Sequence, residues 1–235
     1  MSDGLRDEVL RANLELSRRG LAKHTFGNAS AIDRSAGRVV IKPSGVPYDR
    51  MTANDLVVTD LDGRTVEGAL RPSSDLATHL VLYRAFPSIG GVVHTHSHYA
   101  TVFAQAGREI PCLGTTHADH FLGAVPVTAP LSDREIAEHY EESTGDAIVR
   151  RMSGLDPEQM PAVLVAQHAS FVWGSTVSTA VETADILEEI ASMAFHTLAL
   201  EPGIGPLGET LRDKHFLRKH GSAAYYGQRS NFMRP

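Results

Sequence analysis

A chain of 235 residues can bury one full hydrophobic core or, at most, two small ones. Its formal net charge is -6 with no basic block, which excludes nucleic acid as the expected partner and leaves a small anion to be held by local donors. The charged segment Met1–Arg11 and the lack of any run near the roughly 18 apolar residues that span a bilayer exclude a signal peptide and a membrane span, so a cytoplasmic protein is expected.

In chain order, Arg6–Arg19 places Val9, Leu10, Leu14 and Leu16 at helical spacing and then meets Gly20, a helix with a glycine stop. Gly27-Asn28 reads as a small-residue loop. Val39-Val40-Ile41 is a short buried strand ended by Pro43-Ser44-Gly45. Leu56–Leu61, a turn at Asp62-Gly63 and Thr65–Glu67 form a hairpin signature. Ser73-Ser74-Asp75 is an N-cap cluster for a helix through Phe86, closed by Pro87. A strand is predicted over Gly91–His96, with Ser97 capping a helix towards Gly107. The lone Cys112 forbids an intrachain disulfide and reads as a small apolar filler. Ala162–Ala166 and Phe171–Trp173 are short strands around His168, and Thr179–Leu200 is the most amphipathic helix. With no repeat and no linker, these elements predict one α/β domain whose mixed sheet is covered on both faces.

The 12 histidines matter because some of them cluster. On a strand His94 and His96 point to one face, so both imidazoles can reach one ion, and imidazole suits zinc and related metals. His168 supplies a third candidate and Asp75, at a helix start, a fourth; alone, Asp75 would read as a helix cap. Gly27-Asn28, Ser44-Gly45 and Ser73-Ser74 offer donors that could cradle a phosphate, with Lys42 adding positive charge. Asp119, within Gly114-Thr115-Thr116-His117-Ala118-Asp119, is a candidate proton-transfer carboxylate. The basic stretch Lys214–His220 reads by itself as a solvated face, and the tyrosines after it as packing.

Taken together, Gly27-Asn28, Ile41-Lys42-Pro43-Ser44-Gly45, Pro72-Ser73-Ser74-Asp75, His94-Thr95-His96-Ser97, Gly114–Asp119 and Tyr225-Tyr226-Gly227-Gln228 occur in the order seen in the L-ribulose-5-phosphate 4-epimerases. The chain resembles that branch of the class II aldolase/epimerase superfamily from about Leu5 to Gln228. The resemblance implies a single domain over residues 1–228, with an αβα three-layer fold and a mixed, largely antiparallel central sheet. Residues 229–235 would be a C-terminal extension. It implies one Zn2+ per subunit, with Mn2+ or Co2+ as substitutes, held by Asp75, His94, His96 and His168. A sugar phosphate would be bound by Gly27, Asn28, Lys42, Ser44, Gly45, Ser73 and Ser74. The acid/base pair would be Asp119 and Tyr226, supplied by the neighbouring subunit of a homotetramer, with Thr115, His215 and Arg218 as further substrate contacts. His120 stands where a tyrosine usually follows the aspartate, and His139–Ser143 lacks a familiar tryptophan.

The activity so implied is epimerisation at C4 in pentose or arabinose metabolism. That carbon carries no acidic proton, so inversion requires retro-aldol cleavage of C3–C4 and re-addition. Two relatives mark the alternatives. Aldolases acting on L-fuculose 1-phosphate carry a glutamate where Asp75 stands, and the adducin head domain resembles the fold without its metal ligands.

Overall fold

The computed structural model describes residues 3–220 and 224–226. The first helix, α1 (Asp3–Arg18), ends where Gly20 turns through a φ of 73°, a conformation that costs glycine little. It is followed by β1 (Asn28–Asp33) and β2 (Arg38–Ile41), then by the hairpin β3 (Val57–Asp60) and β4 (Thr65–Glu67). Next come α2 (Leu76–Ala85), β5 (Gly91–Thr95), α3 (His98–Gln105) and the short α4 (Thr115–Ala118). The chain continues through α5 (Asp133–Arg151), β6 (Ala162–Leu164), β7 (Ser170–Gly174), α6 (Val177–Leu200) and α7 (Glu209–His220).

The seven strands form one sheet in the order β4-β3-β2-β1-β5-β7-β6, and each neighbouring pair is antiparallel. The largely antiparallel sheet expected from the sequence is thus found. Among the described residues its one parallel pairing is an isolated bridge, Val127 to Leu164. The helices α1, α3 and α6 pack together on one face, while α2 and α5 pair on the other, which makes the three layers. Buried side chains such as Leu16, Ile41, Leu82, Phe171 and Trp173 join into one core. None of the described helices is long and apolar enough to cross a membrane.

The central strand β1 lies where the sequence suggested a loop at Gly27-Asn28. Its residues, Asn-Ala-Ser-Ala-Ile-Asp, lack the β-branched and aromatic signature of a strand. They are selected instead by what crosses them. On one face Asn13 of α1 brackets Ala29, donating to its carbonyl at 3.0 Å and accepting from its amide at 2.8 Å. On the other, the Ser30 hydroxyl lies 2.7 Å from His79 Nδ1 and 2.8 Å from the Tyr83 hydroxyl, both on α2. Small side chains let both helices reach the strand.

Two predicted caps are also corrected. Asp75 occupies the N-cap of α2 and Ser97 that of α3, but neither side chain makes a capping hydrogen bond. The α3 amides of Tyr99 and Ala100 donate instead to the Glu188 carboxylate on α6, at 2.8 and 3.0 Å. The Asp75 carboxylate is thereby left for other work. The expected extension 229–235, and Gly227-Gln228 before it, lie outside the described residues.

Candidate active site

Three imidazoles converge at one end of the sheet. His94 ends β5 one residue short of its last position, and His96 stands just beyond that strand. His168 sits in the β6–β7 turn, where Gln167 holds a φ of 60° and donates its amide to Ala104 at 2.8 Å. The ring centroids are 4.9, 4.9 and 5.0 Å apart, and one ligand nitrogen from each ring lies within 4.8 Å of the others. His94 stacks on Phe171 of β7, its register partner, with centroids 4.2 Å apart.

Hydrogen bonding sets the protons. His94 Nδ1 lies 2.9 Å from the Ser170 carbonyl oxygen, which can only accept, so Nδ1 carries a hydrogen and Nε2 is the ring nitrogen left to face the other histidines. Nε2 of His94 is 3.2 Å from Nε2 of His96, too close for two lone pairs to face one another with no cation or proton between them. A tetrahedral zinc with Zn–N bonds near 2.05 Å sets neighbouring nitrogens about 3.3 Å apart, so the pair already has the spacing of two ligands. His96 is exposed as a residue, yet desolvation at its ring and then His94 lower it to about 4. Desolvation, followed by His94 and His96, brings His168 to about 4 as well. Both rings are therefore neutral near neutral pH, the form that binds a metal. The residues present fit a divalent transition metal.

Asp75 lies beside this triangle rather than within it. Its Oδ2 accepts from Asn28 Nδ2 at 2.7 Å and from the Ser73 hydroxyl at 3.4 Å. Burial alone would raise its pKa, but His94, His79 and the Asn28 bond outweigh it, and the net shift is downward. An ionised carboxylate thus stands against the histidines.

The predicted anion donors assemble next to it. Asn28 pairs across the sheet with His94, and its Nδ2 also donates to Ser73 Oγ at 3.0 Å. The loops around Ser44 and Ser73 are zipped together: Ser44 N donates to Arg71 O and Ser73 N to Lys42 O, each at 2.9 Å. Lys42 is buried with its ammonium 3.4 Å from the carbonyl oxygens of Thr25 and Pro43 and 4.9 Å from the Tyr48 ring centre. Burial lowers its pKa, and no carboxylate lies within 4 Å of it among the described residues. A positive charge so placed is best satisfied by an anion. Ser44, Gly45 and Ser74 are exposed.

Gly27 joins this cradle to the metal triangle. Its φ is 74°, and a Cβ there would stand 2.8 Å from the His94 carbonyl oxygen. Gly27→Ala is expected to cost about 1–3 kcal/mol from the left-handed backbone alone. The clash must also displace β5 at His94. Thermal unfolding should show the loss, and metal uptake should weaken with it.

The remaining predicted residues form a second cluster. Asp119, at the end of α4, is gripped by Arg218 of α7 through two bonds, Nε to Oδ1 at 2.9 Å and Nη2 to Oδ2 at 2.6 Å. His215 Nδ1 adds a contact at 3.0 Å and Lys219 Nζ lies 3.7 Å away. Burial pushes the Asp119 pKa up, but Arg218 and His215 overcome it, so the carboxyl stays below its usual range. The Tyr226 ring lies under the Arg218 guanidinium at 4.7 Å and the Lys219 ammonium at 4.8 Å. Thr115, which opens α4, belongs to this neighbourhood through its carbonyl, which accepts from Asp119 N at 2.9 Å. The basic stretch is therefore not a solvated face: it docks on Asp119. His120 accepts from Lys219 at 3.3 Å, with burial and then Lys219 lowering it to about 4. Among the described residues, no hydrogen bond or ion pair links this cluster to the three histidines.

Sequence reading missed Tyr140, whose hydroxyl is 3.3 Å from His168 Nδ1, and Ser170, which orients His94 through its backbone. Tyr140 lies on α5, a helix that periodicity does not reveal because its backbone breaks at His139. The Ser132-x-x-Glu135 capping box was the one signal that could have marked its start.

Comparison with known proteins identifies the family. Residues 7–195 match the family described as Class II Aldolase and Adducin N-terminal domain. The L-ribulose-5-phosphate 4-epimerase UlaF of Salmonella paratyphi A is 52% identical over 225 residues, covering 96% of this chain and 99% of that one. A solved L-fuculose 1-phosphate aldolase superposes with a TM-score of 0.77 at 26% identity, over 92% of this chain and 95% of its own. The L-fuculose-1-phosphate aldolase of Thermus thermophilus, at 24% identity and a TM-score of 0.66 over 86% of this chain and 98% of its own, shares the fold. The chain belongs to the class II aldolase and adducin N-terminal domain family.

Proposed function

We propose that this chain is a metal-dependent L-ribulose-5-phosphate 4-epimerase that interconverts L-ribulose 5-phosphate and D-xylulose 5-phosphate. The observation that carries the reading is the pairing of Asn28 with His94, which sets an anion cradle against a three-histidine centre. The 52% identity to an epimerase over nearly both full lengths supports the choice of reaction.

A zinc ion, or Mn2+ or Co2+ in its place, would be held by His94, His96 and His168 together with Asp75 and would supply a Lewis acid for the charge that develops on the ketose oxygens. The chain's own groups do the rest. Asn28, Lys42, Ser44, Gly45, Ser73 and Ser74, on the backbone that Gly27 sets, hold the phosphate throughout. A base takes the proton of the C4 hydroxyl; C4 becomes an aldehyde, and the C3–C4 electron pair passes to the three-carbon fragment as an enolate. The tethered glycolaldehyde phosphate turns its other face, C3 attacks it, and an acid returns a proton to the C4 oxygen. Because that oxygen points oppositely in the two epimers, two groups are needed, and Asp119 and Tyr226 fill these roles. Arg218 lies beside both, and its hydrogen bonds to Asp119 favour that carboxyl's anionic form.

This reading takes residues 1–228 as one domain around the single core, and the enzyme as a homotetramer. The lack, among the described residues, of any hydrogen bond or ion pair between the Asp119 cluster and the histidines supports an acid/base half that serves a neighbouring subunit. A cytoplasmic location fits the single free thiol, Cys112.

NMR of the zinc-loaded protein with L-ribulose 5-phosphate should show D-xylulose 5-phosphate accumulating to equilibrium, with chelation stopping it. Net release of dihydroxyacetone and glycolaldehyde phosphate would reassign the chain as an aldolase. No turnover by a metal-loaded, folded protein would favour a scaffold.

A further inference from the structure

The three histidines differ in what holds their second ring nitrogen. His94 Nδ1 is fixed by a backbone carbonyl of β7, at 2.9 Å, and cannot lose that partner by mutation of a side chain. His168 relies on a side chain: its Nδ1 faces the Tyr140 hydroxyl at 3.3 Å, with the two rings 6.0 Å apart. That contact is built at some expense to the helix. The backbone of α5 leaves the helical region at His139, with φ -149° and ψ 59°, immediately before Tyr140. Two threonines secure the break on its far side. Thr144 Oγ1 donates to the Tyr140 carbonyl at 2.8 Å, and Thr78 Oγ1 of α2 donates to the Glu141 carbonyl at 2.6 Å. The same α2 carries Asp75 at its start, so one helix pair delivers both Asp75 and Tyr140 to the histidines.

An imidazole that ligates through Nε2 must keep its hydrogen on Nδ1, and an acceptor there fixes both the tautomer and the ring plane. Phenolic oxygen can accept that hydrogen while keeping its own proton to donate elsewhere.

We infer that Tyr140 is a positioning residue for the metal centre: its oxygen accepts the His168 Nδ1 hydrogen and holds the His168 Nε2 lone pair towards the ion. Glu141 and Glu142, which follow it, do not face His168 in any hydrogen bond among the described residues. The helix break at His139 thus serves to aim one hydroxyl. This inference rests on the metal reading of the three-histidine cluster but not on the identity of the sugar.

The test is Tyr140→Phe, which keeps the ring and deletes one oxygen. Metal-free wild type and variant should unfold at closely similar temperatures. Their affinities for Zn2+, measured by competition with a chromophoric chelator, should differ by about tenfold or more. The visible bands of the Co2+-loaded protein should shift in the variant, and kcat should fall more than KM changes. A merely structural tyrosine would lower the unfolding temperature and leave the cobalt spectrum alone. Should the variant fold poorly, 15N-histidine NMR of the zinc-loaded wild type decides the matter: His168 must show a slowly exchanging Nδ1 hydrogen. Equal zinc affinity with an unchanged cobalt spectrum, or a His168 hydrogen on Nε2, would overturn the inference alone. Failure of both proteins to take up metal would overturn it together with the metal centre.

Discussion

His96→Ala should abolish metal uptake and lower kcat/KM by on the order of 10³-fold or more. That factor corresponds to several kcal/mol of charge stabilisation withdrawn from the transition state. His96 is exposed, lies just past the end of β5, and its Nε2 makes its one hydrogen-bond contact among the described residues to His94. Losing it leaves no buried cavity, so the metal-free variant should match metal-free wild type to within about 0.5 kcal/mol, as surface substitutions usually do. The two proteins should separate only when metal is added. Wild type gains RT ln(1 + [metal]/Kd) of stability and its Tm rises, whereas the variant's Tm stays put. Elemental analysis and thermal melts with and without Zn2+ check this. A variant that retains stoichiometric zinc and wild-type turnover would remove His96 from the centre.

A mixture of two inactive proteins should recover activity. His96→Ala spoils the metal half of a site and Tyr226→Phe its acid/base half. In a cyclic ring every interface is heterologous, so each site takes one half from each of two adjacent subunits. If subunits mix at random in equal amounts, about a quarter of interfaces join an intact Tyr226 to an intact His96, and about a quarter of native activity should return. The structure motivates the experiment directly. The Asp119–His215–Arg218–Tyr226 cluster is held together by its own ion pairs and ring contacts, yet among the described residues it makes no bond to the histidines of the same chain. Native mass spectrometry must show mixed assemblies. Exchange without recovery of activity would place both halves of the site in one chain.

Much of this site could be read in the sequence because its parts are short and local. His94 and His96 are two residues apart at a strand end, and the Lys42–Gly45 and Ser73–Asp75 segments are turn motifs whose donors are set by their immediate neighbours. The periodic helices α1 and α6 were also legible, since a regular apolar stripe reflects one buried face, and β2 was legible as a short continuous apolar run.

Other features depended on distant partners. The small residues of β1 have no strand signature of their own, and they become the centre of the sheet because β2 and β5 pair on either side of them. Lys214–His220 looks like a solvated basic face until Asp119, nearly a hundred residues earlier, is placed beneath Arg218. Asp75 and Ser97 have the chemistry of helix caps, but packing assigns the α3 amides to Glu188 and turns Asp75 towards Asn28. Tyr140 is the clearest case. The sequence alone determined which residue types were available for metal, phosphate and proton transfer. Only the tertiary structure decided which would meet, because hydrogen bonds and ion pairs between residues far apart in the chain are satisfied by the packing of whole elements, and no local pattern encodes that packing.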